Sequence, residues 1–216
     1  VNRRTMPVTA ALAATAALLL TGCGSGDDGE SEDKITGADQ GDAKSASPSK
    51  SAADSVDRPK ITLPKDDVLV FEGSKTGDAN KDAVLADNAE RLRAVDAAII
   101  QSDAKYAPVY FYSTGDAAKT AAESIQSYVD DDLSVTGTVR YFDRTVAFRE
   151  DGSARLTYCS DESKGFAKER KTGKTLKTKA DKNSYVFYDT RLDRNAKGVW
   201  QTTAVTSNRG AAQCQP

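Results

Sequence analysis

Apolar residues fall into three patterns along the chain. Val8 to Leu20 is a 13-residue apolar run interrupted only by Thr9 and Thr15. From residue 24 to 60 large apolar side chains nearly vanish, Ile35 and Val56 being the only large aliphatics, and there is no aromatic. From Ile61 onward, helical and strand periods follow one another. Val68 to Phe71, between Asp67 and Gly73, suits a brief strand or a packed extended entry segment. Val84, Leu85, Asn88, Leu92, Val95, Ile99 and Ile100 predict an amphipathic helix from about Asn80 to Ser102 with one buried face, capped by Asn80 or Asp82. Asp87, Glu90, Arg91, Arg93 and Asp96 supply its polar positions. Tyr106 to Tyr112 fits a short helix with Pro108 in its first turn, and a strand nearly as well. Ala121, Ile125, Tyr128 and Val129 mark a further helix from Gly115 to about Asp132.

Beyond Leu133 the period becomes that of strands. Val135 to Phe142 is expected in one strand and Val146 and Phe148 in the next. Leu156 and Tyr158 follow the Asp151-Gly152 turn, a hairpin signal. Cys159 is expected at that strand's end. Tyr185 to Leu192 and Val199 to Val205 form a second pair around Asn195 to Gly198, with Trp200 as a core anchor. Helices first and antiparallel strands after predict an α+β domain over 61–216, its helices covering one face of a curved sheet.

The Val8–Leu20 run is too short to span a bilayer; with Arg3-Arg4 before it and small residues after it, it has the parts of an export signal. Leu20-Thr21-Gly22-Cys23 resembles the lipobox of bacterial lipoproteins, in which the thiol is joined to diacylglycerol and becomes the mature N-terminus. The resemblance implies a signal over 1–22, acylation of Cys23 and anchoring at the outer face of a bacterial membrane, with two or three acyl chains in the bilayer. Residues 23–60 are then a lipidated, disordered tether, too poor in apolar surface to offset the entropy of ordering. As a flexible coil its reach is roughly 33 Å.

Charge divides unevenly: five basic against nine acidic residues over 24–60, and 23 of each over 61–216. A neutral domain argues against general nucleic-acid binding. Setting Cys23 aside leaves Cys159 and Cys214, an even pair in an exported domain, which predicts a disulfide between them. The chain has no histidine, so Ser-His-Asp and Cys-His nucleophiles and His-ligated metal sites are excluded. Asp130-Asp131-Asp132 lacks the alternating ligands and central glycine of a calcium loop and reads as a solvated helix end. Gly173-Lys174-Thr175 lacks the earlier glycine of a phosphate-binding loop, and Lys171-Thr172-Gly173 has no Ser-x-x-Lys beside it. No metal and no cofactor are expected.

The helix over 80–102, the aromatic segment over 106–112, the next helix and the strands ending in Gly198-Val199-Trp200-Gln201 resemble the cone-shaped fold of nuclear transport factor two and SnoaL-like proteins. Asp151 to Cys159, Gly198-Val199-Trp200 and Arg209 to Cys214 are similar to a group of bacterial surface lipoproteins. The first resemblance implies a cavity between curved sheet and helices, which in related enzymes holds an Asp or His base and a Tyr donor; with no histidine here, only the Asp form carries over. Asp103, Asp143 or Asp189 with Tyr110, Tyr141 or Tyr188 are the candidates for such a pair, none of them assigned a catalytic role. Segment 164–182 concentrates basic residues, among them Lys168, Arg170, Lys171, Lys174, Lys177 and Lys179, on what reads as an exposed connection suited to anionic headgroups or wall polymers.

The expectation is therefore a non-catalytic, lipid-anchored domain that binds a small apolar or anionic ligand or another envelope protein. The alternative is a cofactor-free isomerase or lyase with an Asp/Tyr pair in the cone. A third reading is a structural partner that dimerises through its sheet.

Overall fold

The computed structural model describes residues 56–216; the apolar run, Cys23 and the arm up to residue 55 lie outside the described residues. Strand β1 (Asp67–Phe71) is followed by helices α1 (Ala79–Gln101), α2 (Ala107–Tyr112) and α3 (Gly115–Asp130). Then come β2 (Leu133–Phe148), β3 (Ala154–Glu169), the two-residue β4 (Thr175–Leu176), β5 (Tyr185–Arg194) and β6 (Trp200–Arg209). The sheet runs β1-β2-β3-β5-β6 with β4 paired to β3. It is antiparallel except for β1, which lies parallel to β2. The architecture is α+β, helices on one face of an open, curved sheet.

Asp78, rather than Asn80 or Asp82, starts α1: its carboxylate accepts from the N–H groups of Asn80 (2.8 Å) and Lys81 (3.2 Å). Asp82 instead accepts from the N–H and hydroxyl of Thr76. Nor does α1 have a single buried face. Val84 and Leu85 pack into the sheet with Leu156, Tyr158, Leu192 and Trp200, while Ala94, Ala98 and Ile99 meet Val109 of α2 and Ala121 and Ile125 of α3. Pressed between two layers, α1 buries Asp87 and Arg91, which its sequence offers as polar surface. Asp87 pairs with Arg58 and accepts from the Trp200 N–H at 2.8 Å. Residues 56–60, grouped with the arm by composition, thus lie against the domain. The 106–112 segment is the helical alternative, with Pro108 in the first turn of α2.

The two strands expected over 135–148 are one, β2, bent by register shifts at Thr138/Arg140 and Phe142/Thr145. Asp143, at φ 51°, holds the second irregularity. Its partner β3 continues ten residues past Cys159, which therefore sits mid-strand. Gly137 lies opposite Gly165 beside the first bend; a Cβ on Gly165 would come within 2.8 Å of the Val139 side chain. The absent side chains let the strands curl there.

Cys159 and Cys214 are disulfide-bonded, 5.4 Å apart at Cα. Cys159 alternates with the inward Tyr158, so the bridge holds residues 210–214 over the sheet face away from the helices, against Phe142, Tyr185 and Phe187. Trp200 is buried in the core. Among the described residues no helix is long and apolar enough to cross a membrane.

Candidate functional site

Sheet curvature leaves a cavity of about 330 Å³ under the C-terminal half of α1. The roof is Leu92, Val95, Asp96 and Ile99 of α1 with Ser124 and Tyr128 of α3. The floor is Val135, Val139 and Tyr141 of β2, Glu162, Gly165 and Ala167 of β3, and Tyr188 of β5, with Asp67 and Arg209 at the sides. An aromatic ladder crosses this floor: Phe71 stacks on Tyr141 (4.9 Å), Tyr141 meets Tyr158 edge-on (6.0 Å), and Tyr158 stacks on Tyr188 (4.9 Å).

Among the described residues three carboxyl groups line this space, and one of them is matched by hydrogen-bond donors. Glu162 accepts from Arg209 (2.8 Å) and Ser160 (3.0 Å), with the Tyr188 hydroxyl at 3.4 Å. Asp67 is 7% exposed, and its Oδ2 is buried with no hydrogen-bond partner. Loss of water, then the neighbouring Asp66 charge, pushes its carboxyl up to about 6, opposed by Lys168. Asp96 is raised well above the usual carboxylate range by burial and by the charges of Asp67 and Glu162. No cation or donor among the described residues offsets this. Burial also raises the phenols of Tyr128, Tyr141 and Tyr188, with the Asp96 charge contributing at Tyr128 and Tyr141. They stay protonated at neutral pH and serve as donors.

Of the candidate pairs, Tyr141 and Tyr188 line the cavity, and the rest lie elsewhere. Asp189 is held by Arg155 in a forked pair (2.5 Å) that lowers its pKa. Asp103 accepts from the Lys105 N–H in the turn after α1, and Asp143 sits at the β2 irregularity. Tyr110 is exposed and donates to the Ala104 carbonyl. The carboxyls that line the cavity, Asp67, Asp96 and Glu162, are thus outside the candidate pairs offered by the sequence. The available signal was an acidic residue at an inward register: Asp96 one turn before Ile99 and Ile100, and Glu162 two pairs on from Tyr158.

The basic segment is not one exposed connection. Lys168 lies in β3 and donates to Asp66 at 2.8 Å. Arg170 donates to the carbonyls of Ile99 and Ile100, closing the C-terminus of α1. Lys171 pairs with Asp132 at 3.2 Å while staying exposed, and Lys174, Lys177 and Lys179 face solvent. A larger groove of about 630 Å³ lies beside residues 194–198, but it is open and holds no buried, unmatched acid or base among the described residues. Among the described residues no cluster of three or more acidic or cysteine side chains is placed to hold a metal.

No family model and no curated protein matches this sequence. Solved structures similar to it include Aln2 from a Streptomyces species (13% identity, TM-score 0.41, covering 59% of this chain and 88% of that one). The intermembrane space region of the chloroplast protein ARC6 shows 11% identity and a TM-score of 0.35 over 62% of this chain and 99% of that one. A candidate ketosteroid isomerase from Shewanella frigidimarina shows 14% and 0.30 over 64% and 99%. Likenesses of this size carry no argument about activity. The helices packed over a curved sheet, with a cavity between them, are nonetheless what the nuclear transport factor two-like resemblance implied.

Proposed function

We propose that this chain is an extracytoplasmic binding domain, tethered to the outer face of a bacterial membrane through acylated Cys23, that takes a small organic ligand in the cavity under α1 and α3. The observation that carries the ligand-binding part is Asp67. An ionisable group buried without a donor costs several kcal/mol, a cost that serves no purpose in a filled core. A ligand bringing a donor to Oδ2 removes it.

The test is native mass spectrometry of the full chain purified from its own host. A small molecule is expected to be released on denaturation, and Val95→Trp, which fills the cavity, is expected to abolish its retention with the fold intact. Retention unchanged in Val95→Trp places the ligand elsewhere, and no retained or bound molecule under any condition removes the reading. The anchor is tested by intact mass: a diacylglyceryl group at Cys23 supports it, and an unmodified thiol contradicts it.

A second reading, a cofactor-free isomerase or lyase, draws on Asp96. A carboxyl poised above its usual range beside the phenols of Tyr128 and Tyr141 is suited to proton transfer. Exchange of a carbon-bound proton of the retained ligand with deuterated water, lost in Asp96→Asn, would favour it.

A further inference from the structure

We infer that the ligand of this cavity is a small organic cation, an amine with an apolar or aromatic body, whose ammonium is held between the carboxylates of Asp67 and Asp96. The inference rests on the reading of the cavity as a ligand site and names the class of ligand.

The charge balance of the walls carries it. Among the described residues Arg209 is the only basic one lining the cavity, and it is taken up by Glu162 at 2.8 Å. Lys168 is likewise taken up by Asp66 at 2.8 Å. Asp67 and Asp96 then line the same space with neither paired to a cation among the described residues, and Asp67 Oδ2 is buried without a donor from them. An anion here would add to the acidic character of this space; a neutral, purely apolar ligand would leave the Asp67 carboxyl unmatched. An ammonium supplies up to three N–H donors and the missing charge.

The remaining walls suit the rest of such a molecule. Tyr141 and Tyr188 line the floor and Tyr128 of α3 lines the roof, and an aromatic lining suits a cation electrostatically. Leu92, Val95 and Val139 offer apolar contact to its body. The expectation of an apolar or anionic ligand is thereby replaced by one that is apolar at one end and positive at the other.

Binding is coupled to pH through the groups facing the ammonium, namely Asp67 and Asp96, with Glu162–Arg209 and the protonated phenols beside them and Asp66–Lys168 behind. Holding the cation requires ionised carboxylates, so affinity falls as pH drops through the range in which Asp67 and Asp96 take up their protons.

The test is calorimetric titration of the full chain in detergent with benzylammonium, benzyl alcohol and benzoate, which match in shape and differ in charge. Benzylammonium is expected to bind at least about tenfold more tightly than the other two. Asp67→Asn and Asp96→Asn are each expected to weaken it about tenfold or more while remaining folded by circular dichroism. Wild-type affinity is expected to fall as pH drops through the titrations of Asp67 and Asp96, by up to about tenfold per pH unit for each proton taken up. Equal or tighter binding of benzyl alcohol or benzoate, or benzylammonium affinity unchanged in both variants, overturns the cation and leaves the binding domain standing. No binding of any of the three overturns the cation also, and the molecule retained from the host then decides the broader reading independently.

Discussion

Replacing Asp67 with Asn tests whether the cavity holds a desolvated carboxyl. The group sits at the start of β1, 7% exposed, with one oxygen buried and unmatched. Its pKa is pushed up to about 6, against 3.8 for the ordinary group, which is the value expected in the unfolded chain. The native state therefore keeps this proton across a window where the unfolded state has lost it. A pKa raised on folding gives stability that is fully present below about 3.8 and is lost as pH rises through about 6. The gap of about two units corresponds to about 3 kcal/mol. Asn preserves the shape and carries no charge. Urea unfolding of both forms should show the variant gaining on the wild type by about 3 kcal/mol between about pH 3 and about pH 8, most of it between about pH 4 and pH 6. Comparing the two forms cancels carboxylates such as Asp82, Asp151 and Asp189, whose lowered pKa values give the opposite slope. A difference that stays flat across this range, or that grows toward acid, refutes the reasoning.

Three other outcomes are expected. Replacing Cys159 and Cys214 with Ala reopens a loop of 55 residues and should cost about 2–4 kcal/mol in urea unfolding; a loss below about 1 kcal/mol would mean that packing alone holds the tail. Arg170→Met strips donors from the carbonyls of Ile99 and Ile100 and should destabilise by about 1–3 kcal/mol, whereas Lys174→Gln, on an exposed side chain, should be neutral in the same assay. If Lys171, Lys174, Lys177 and Lys179 dock to anionic headgroups or wall polymers, the non-acylated chain should bind anionic vesicles in a salt-sensitive way and lose this when all four become Gln; no binding by the unmutated chain removes that proposal.

Helix limits were legible because Val84, Leu85, Leu92, Val95 and Ile99 keep helical spacing whatever they pack against. The environment of Asp87, Arg91 and Asp96 was not, because a charged residue on a helix reads as surface, and only the second layer formed by α2 and α3 puts that side of α1 indoors. Asp143-Arg144 looked like a turn between two strands, since a bulge and a turn both interrupt alternation; pairing of Thr145 to Phe148 with Ala154 to Thr157 shows β2 continuing through it. The outer half of β3 was missed for a reason tied to the cavity. Its inward residues line a polar cavity, so Ser160, Glu162 and Gly165 stand where a core-facing strand would carry apolar side chains, and the strand period disappears from the sequence. The bridge from Cys159 to Cys214 was legible by count alone, once Cys23 was assigned elsewhere.

The central claim is that Asp67 and Asp96 face a shared cavity as carboxyls without partners. Carboxyl-carbon NMR of the full chain, assigned by Asp67→Asn and Asp96→Asn and followed across pH, addresses it most directly. The account predicts an Asp67 transition near pH 6 and an Asp96 transition displaced well above the ordinary 3.8. Both transitions at the ordinary carboxylate value would contradict it.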